Sequence, residues 1–254
     1  MRTSLVRLGS ILLLLRPFVQ IQAEDWKVQR PDLCQTDESH GKLPGGGKYH
    51  CVPTSISNHL VALSQKFPGL MSQENPTPKD QAELIWKLSS PDYMNTIEGT
   101  TLSDLVKGLK KYVEEKGYSI LIECKGEKED EDIGECFTGE EISAEWIKEE
   151  LKYKSNLILS ANFYKNENGN LQHVGAHAVT VVGFNDDDGF KLHIHDPAER
   201  SGIEPKTETC DLVWHSQSDS KSKIELRGIN LQKGSDVAYL GFMVAFNIES
   251  PENN

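Results

Sequence analysis

Tyr49-His50-Cys51-Val52-Pro53-Thr54-Ser55 runs straight into an apolar series at helical spacing, Ile56, Leu60, Val61 and Leu63. Pro53 suits a first helical turn, because the N–H it lacks has no intrahelical partner there and its fixed φ is already helical. The spacing therefore predicts a helix that starts at or just before Cys51 and ends near Phe67-Pro68-Gly69. A cysteine at that position meets the positive end of the helix dipole and free backbone N–H groups, which favour thiolate over thiol. The same donors suit an oxyanion formed when sulfur attacks a carbonyl. The plainer alternative is a buried structural cysteine; what decides between them is whether a base and an orienting group exist elsewhere in the chain.

Working outward, Pro78–Ser89 carries a second helical pattern. Thr101 with Asp104 three residues on caps a third, whose Leu102, Leu105, Val106, Leu109, Tyr112 and Val113 share a face until Gly117. Ser143–Tyr153 groups Trp146, Ile147 and Leu151 as a fourth. Ser119–Glu123 alternates as a strand, and from Asn156 the period changes to that of strands. Leu157–Tyr164, Ala178–Phe184, Phe190–His195, Ile224–Leu231 and Val237–Ile248 are the expected strands. Residues 24–48 read as irregular, ending in Pro44-Gly45-Gly46-Gly47. Helices first and a mostly antiparallel sheet second predict an α+β fold.

The candidate base is His177, in Gly175-Ala176-His177-Ala178-Val179, and the candidate orienting acid is Asp196, in His193-Ile194-His195-Asp196-Pro197. If the Asn185–Asp188 turn closes Phe184 against Gly189, His177 falls directly opposite Asp196. Cross-strand partners on one face bring Cβ atoms to roughly 4.5–5.5 Å, close enough for an imidazole–carboxylate hydrogen bond. A one-residue slip would turn one of them to the other face. Gly175 leaves room for another group to approach closely.

His-Cys-Val-Pro-Thr-Ser, then Gly-Ala-His-Ala-Val-Thr-Val-Val-Gly-Phe, then His-Asp-Pro, in that order over about residues 45 to 200, resembles papain-like cysteine peptidases. The nearest likeness is to bacterial peptidases that remove double-glycine leaders and to their exported relatives. The resemblance implies a papain-like fold with Cys51 as nucleophile, His177 as general base and acid, and Asp196 as the orienting carboxylate. Two positions depart from the family pattern. Gly45 stands where a glutamine donates to the oxyanion hole, and Val52 stands where glycine is frequent. Losing one oxyanion donor costs on the order of 10²–10³ in rate. Either the Lys48 side chain, a backbone N–H of the glycine run or Gln35 folding back substitutes for it, or activity is poor.

Arg2 and Arg7, the apolar Ile11–Leu15 and the small-residue exit at Gln22-Ala23 read as a secretory signal over residues 1–23, too short to span a bilayer. Residues 24–254 are expected to form one domain, roughly 230 residues being enough for one large core. The whole chain carries a formal charge of −12, and the segment predicted to be removed takes three Arg and no acid with it. So acidic a chain argues against nucleic acid and anionic membrane surfaces as partners. With no Asn-x-Ser/Thr acceptor apart from the proline-blocked Asn75-Pro76-Thr77, secretion or a periplasmic location is expected. Of five cysteines, a free Cys51 leaves Cys34, Cys124, Cys136 and Cys210, an even set able to form two bridges in any of three pairings. Cys124 and Cys136 flank the acidic run Lys125–Glu135 like a stapled loop, and Cys34 with Cys210 would tie the N-terminal segment to the C-terminal half, but the sequence does not choose among the three pairings.

His173, His177, His193 and His195 are numerous enough to raise the question of a metal. However, His193 and His195 share one strand face and Asp196 lies on the other, so no metal site is assigned. Asn185-Asp186-Asp187-Asp188-Gly189 fails the EF-hand pattern and reads as a turn. Trp86, Trp146 and Trp214 are taken as packing residues. No cofactor is expected. The expected function is a cysteine peptidase acting on a peptide or protein through a thioester. A papain-fold module that binds peptide without cleaving it, and a transglutaminase- or amidase-like acyl transferase, are the alternatives.

Overall fold

A computed structural model of the chain describes residues 25–27, 29–36, 42–127, 133, 136–139, 141–153, 155–198, 206–215 and 223–251. The predicted signal at 1–23 and most of the acidic run 125–135 lie outside the described residues. Among those described are four α-helices and nine strands, an α+β arrangement. A short strand, β1 (Asp25–Lys27), and a 3-10 turn at Pro44–Gly47 precede α1 (Cys51–Leu63), α2 (Pro78–Ser89) and α3 (Leu102–Glu115). Then come β2 (Ser119–Gly126), β3 (Phe137–Gly139), α4 (Ala144–Lys152), β4 (Asn156–Glu167) and β5 (Asn170–Asn185). β6 (Lys191–His195), β7 (Glu208–His215), β8 (Lys223–Arg227) and β9 (Val237–Glu249) complete the order.

The cap read from the sequence, Thr101 with Asp104, is formed, and the structure adds one on α2 and one on α4. Thr77 and Asp80 form a reciprocal capping box on α2, Thr101 accepts from the Asp104 N–H on α3, and Ser143 accepts from the Trp146 N–H on α4. Gly117 adopts φ +81° just past the end of α3, a conformation that costs glycine nothing. Trp86, taken as a packing residue, instead stands 57 % exposed.

The strands form one sheet, antiparallel except for the β2–β3 pair. Neighbours run β5-β6-β7-β8-β9, and β4 pairs with both β5 and β9, so six strands close on themselves. Alternation then sorts the side chains. Leu157, Leu159, Val179, Val181, Ile194 and Met243 fill the space inside the closed sheet. Ile158, Ala178, Phe242, Val244 and Phe246 face a second core shared with α1 and α3. Sequence patterning misses β1, β3 and β7. In β7 only Cys210 and Leu212 alternate, because Asp211 separates them and Val213-Trp214 follow without a polar residue between, so the period is short-lived.

α1 is buried on nearly all sides, every residue from Val52 to Leu60 being inaccessible. Several of its polar residues are paired with what surrounds it, although the buried Thr54 hydroxyl has no partner among the described residues. The Ser55 hydroxyl donates to Ala178 O (3.1 Å), Asn58 Nδ2 to Thr180 Oγ1 (2.9 Å), and Gln81 Nε2 to Asn58 Oδ1 (2.7 Å). Buried polar groups are costly when unpaired, so these bonds fix the rotation and axial position of α1 on β5. The position of Cys51 follows from theirs.

The β5–β6 register corrects the expected one. Asn185, Phe184 and Gly183 face Lys191, Leu192 and His193; after a bulge, Val181 faces Ile194 and Thr180 faces His195. Carried one residue further, Asp196 lies opposite Val179, not His177. It is still on the His177 face, because 177 and 179 share parity. Without the extra residue in β5, Asp196 would come opposite Thr180 and point to the α1 side. The bulge decides which face the acid takes.

Candidate active site

Cys51 is the first residue of α1, with His50 as N-cap and no side-chain cap. The preceding turn holds Gly45, Gly46 and Gly47 at φ +60°, +65° and +77°. Gly47 is required twice over: its φ disfavours other residues, and a Cβ there would lie 1.8 Å from the Gln35 carbonyl oxygen. Gln35 donates its backbone N–H to Pro197 O (2.8 Å), beside Asp196, and its Nε2 to Gly47 O (2.9 Å) and Lys48 O (3.3 Å). One residue therefore ties the turn before Cys51 to the segment after Asp196. Gly47→Ala is expected to lower stability by about 3 kcal/mol through strain and overpacking, measured as a denaturation midpoint, and to slow Cys51 alkylation by loosening this tie.

His177 Nε2 donates to Asp196 Oδ1 at 2.6 Å, which leaves Nδ1 for the sulfur. The pair is diagonal across β5 and β6, a separation side chains of this length can bridge. Asp196 is fully buried and also accepts from the Ala198 N–H (2.9 Å) and from Asn230 Nδ2 (3.1 Å). Burial alone would raise its pKa, but the His177 hydrogen bond and charge outweigh it and hold the carboxyl below its usual range. Burial would likewise lower the His177 pKa; the hydrogen bonds and charges of Asp196 and Cys51 overcome this and raise it to about 10. For Cys51, burial opposes ionisation, yet the His177 ring and the backbone N–H groups of Val52 and Ala178 bring its pKa below that of an ordinary thiol. All three shifts favour a thiolate–imidazolium–carboxylate row. The His177 ring is stacked against Phe163, centroids 6.5 Å apart.

Cys51, His177 and Asp196, named from sequence, are thus brought together. Sequence reading missed Asn230, the third donor to Asp196, and Gln232, whose side chain crosses Gly175 closely enough that a Cβ there would meet Oε1 at 2.1 Å. Neither lies in a pattern that marks it; each arrives from the loop after β8. The donor expected in place of Gly45 is not settled by distance along the chain. Gln35 does fold back, but its Nε2 is turned to the Gly47 and Lys48 carbonyls, and its buried Oε1 has no partner. Lys48 Nζ lies over the Tyr49 ring at 4.8 Å. His50, adjacent to the nucleophile, is buried with both ring nitrogens unpartnered, and burial lowers its pKa.

His195 bonds Pro31 O (2.9 Å) and Thr207 Oγ1 (3.2 Å) on the side away from Asp196, and His173 packs on Tyr164. Among the described residues no group of three His, Cys, Asp or Glu side chains is placed to hold a metal ion. The Asn185–Gly189 segment is an Asx turn, Asn185 Oδ1 accepting from the Asp187 N–H at 3.0 Å. All five cysteines are free thiols in this structure. Cys34 Sγ sits 3.2 Å from Thr36 Oγ1, while Cys210 is buried in the interior of the closed sheet. Among the described residues no helix is long and apolar enough to cross a membrane. Comparison with protein-family models and with curated proteins finds no match to this chain.

Proposed function

We propose that this protein is an exported cysteine peptidase of papain-like architecture, cleaving a peptide amide through Cys51, His177 and Asp196. The observation that carries this reading is the 2.6 Å His177–Asp196 hydrogen bond beside a thiol of depressed pKa at a helix start. A helical layer set against a closed sheet, with the nucleophile on the helix and the base on the sheet, supports the architecture.

In this mechanism the Cys51 thiolate forms a bond to the substrate carbonyl carbon, and the carbonyl electrons move to oxygen. Backbone N–H groups at the start of α1 stabilise that oxyanion. As the tetrahedral species collapses, the C–N bond breaks and His177 Nδ1 gives its proton to the leaving amine, leaving a thioester. Neutral His177 then takes a proton from water as the water oxygen attacks the thioester. The C–S bond breaks, the acid product leaves, and the ion pair returns. Asp196 holds the imidazole in the tautomer both steps need and stabilises its charged form.

Incubation with a mixture of unstructured peptides tests the reading. New termini should appear, a thioester adduct on Cys51 should be trapped by rapid acid quench, and Cys51→Ala should abolish both. Incorporation of a primary amine into a glutamine-containing peptide in place of hydrolysis would select the transferase alternative. The orientation of Gln35 Nε2 away from an oxyanion favours a second reading, a peptide-binding module. That reading requires peptide binding at Cys51 with no new termini.

A further inference from the structure

A crevice of about 930 Å³ opens at the far end of α1, ten residues along the helix from Cys51 and so roughly 15 Å away. Its charged wall is Arg30 with Lys27; His195 and Thr207 close one side; Val61, Ala62, Val182 and Pro31 supply apolar surface. Among the described residues no carboxylate lines it. Arg30 is half-buried, and its three hydrogen bonds go to neutral acceptors only: Nε to His59 Nδ1 (3.1 Å), Nη1 to Gln29 O (3.0 Å) and Nη2 to Asn156 Oδ1 (3.1 Å). His59 is held neutral, its pKa lowered to about 3 by burial and the Arg30 charge, and its Nε2 donates to Leu157 O at 2.9 Å. The positive charge of Arg30 is thus partly desolvated with no counter-charge among the described residues, a costly state for a half-buried cation.

We propose that this crevice binds a small organic carboxylate, its carboxyl group on Arg30 and its apolar body along Val61, Ala62 and Val182. A guanidinium has five N–H groups; three are committed, and the two left over are one on each terminal nitrogen. Two free N–H groups on the guanidinium are enough for two charge-assisted bonds to a carboxylate. The space is many times what a bare inorganic anion fills, and Val61, Ala62, Val182, Pro31 and Pro76 make part of its wall apolar, which suits a ligand with a hydrocarbon body beside its charge. Free organic acids and the C-terminal carboxyl of a peptide share this chemistry. The site shares no residue with the Cys51 constellation and stands whether or not that constellation is catalytic.

Calorimetric titration of the whole chain with hexanoate, hexanamide and inorganic phosphate tests the assignment. Hexanoate is expected to bind about tenfold or more tighter than hexanamide, the charge-assisted pair being lost in the amide, and tighter than phosphate. N-acetyl-leucine against its amide, compared with hexanoate, separates a peptide terminus from a simple acid by which of the two binds better. Arg30→Gln should weaken hexanoate by about tenfold or more. Because Arg30 also anchors the segment leading to Gln35, Ala62→Phe, which fills the apolar wall from a half-buried position, serves as the second variant and should weaken hexanoate equally. Equal binding of hexanoate and hexanamide, phosphate binding as tightly as hexanoate, or an Ala62→Phe chain that binds unchanged would each overturn the proposal.

Discussion

Iodoacetamide at pH 6 is expected to label Cys51 on the order of a hundredfold faster than an unperturbed thiol, whose thiolate fraction there is about 0.3 %. The other cysteines provide internal controls. Burial pushes Cys124 and Cys210 up to about 12, so both remain thiols and inaccessible. Peptide mapping by mass spectrometry resolves the sites. His177→Ala removes both the hydrogen bond and the positive charge that oppose the desolvation of Cys51, and should reduce its labelling at pH 6 by roughly 10²-fold. Hydrolysis by that variant should fall further, by about 10³–10⁶, since the proton donor to the leaving amine is also gone. The two pH profiles should separate. On the acid side labelling and hydrolysis fall together as the thiolate takes a proton. On the alkaline side hydrolysis falls as His177 loses its proton near pH 10, whereas labelling does not. A Cys51 that labels no faster than an exposed thiol, or a His177→Ala chain that labels as fast as the native one, is incompatible with the mechanism.

Asp196→Ala should cost the most stability of any single change among the three site residues. It leaves three donors, on His177, Ala198 and the exposed Asn230, without the buried acceptor they share and strands a largely buried imidazolium. Breaking a buried pair from one side costs about 3–5 kcal/mol, measurable as a denaturation midpoint, and hydrolysis should fall by about 10²–10⁴. Asp196→Asn keeps the shape and an acceptor oxygen, so stability should suffer less than activity. Stability against pH distinguishes the charges. The folded-state carboxyl pKa of Asp196 is depressed, so its contribution is present above its unfolded value of about 3.9 and is lost as pH falls through the lower folded value. His177 has a raised folded pKa. Its contribution is complete below the unfolded value of about 6.5 and disappears as pH climbs through about 10. Asp196→Asn should therefore flatten the acid limb and bring the alkaline loss to lower pH.

How much of this was legible without coordinates varies by element. α2 and α3 were readable to the residue, because Thr77, Asp80, Thr101, Asp104 and Gly117 act within one helical turn of what they terminate. β9 was readable to within one residue, whereas β4 and β5 were readable in kind but not in length, since their outer ends run past the buried stretch. β1 and β3, three residues each, carry too little pattern to be seen and exist through pairing with longer strands. The three chemical residues were found by their motifs, but the supposed reason for two of them meeting was wrong. A direct cross-strand pair was expected; the strands instead form a longer turn and a bulge, and the acid reaches the imidazole diagonally.

By itself the sequence determined the local features: where helices start and stop, which half is sheet, that a cysteine begins a helix, and that an imidazole and a carboxylate follow in order. Each depends on side chains a few residues apart, whose preferences act before any distant contact forms. Only the tertiary structure decided that β4 lies between β5 and β9, that one extra residue in β5 turns Asp196 to the His177 face, and that Gln35 joins the two sides of the cleft. Those outcomes belong to contacts between segments far apart in the chain. They are settled by loop closure and by the competition to bury one set of apolar faces, neither of which is written at any single position.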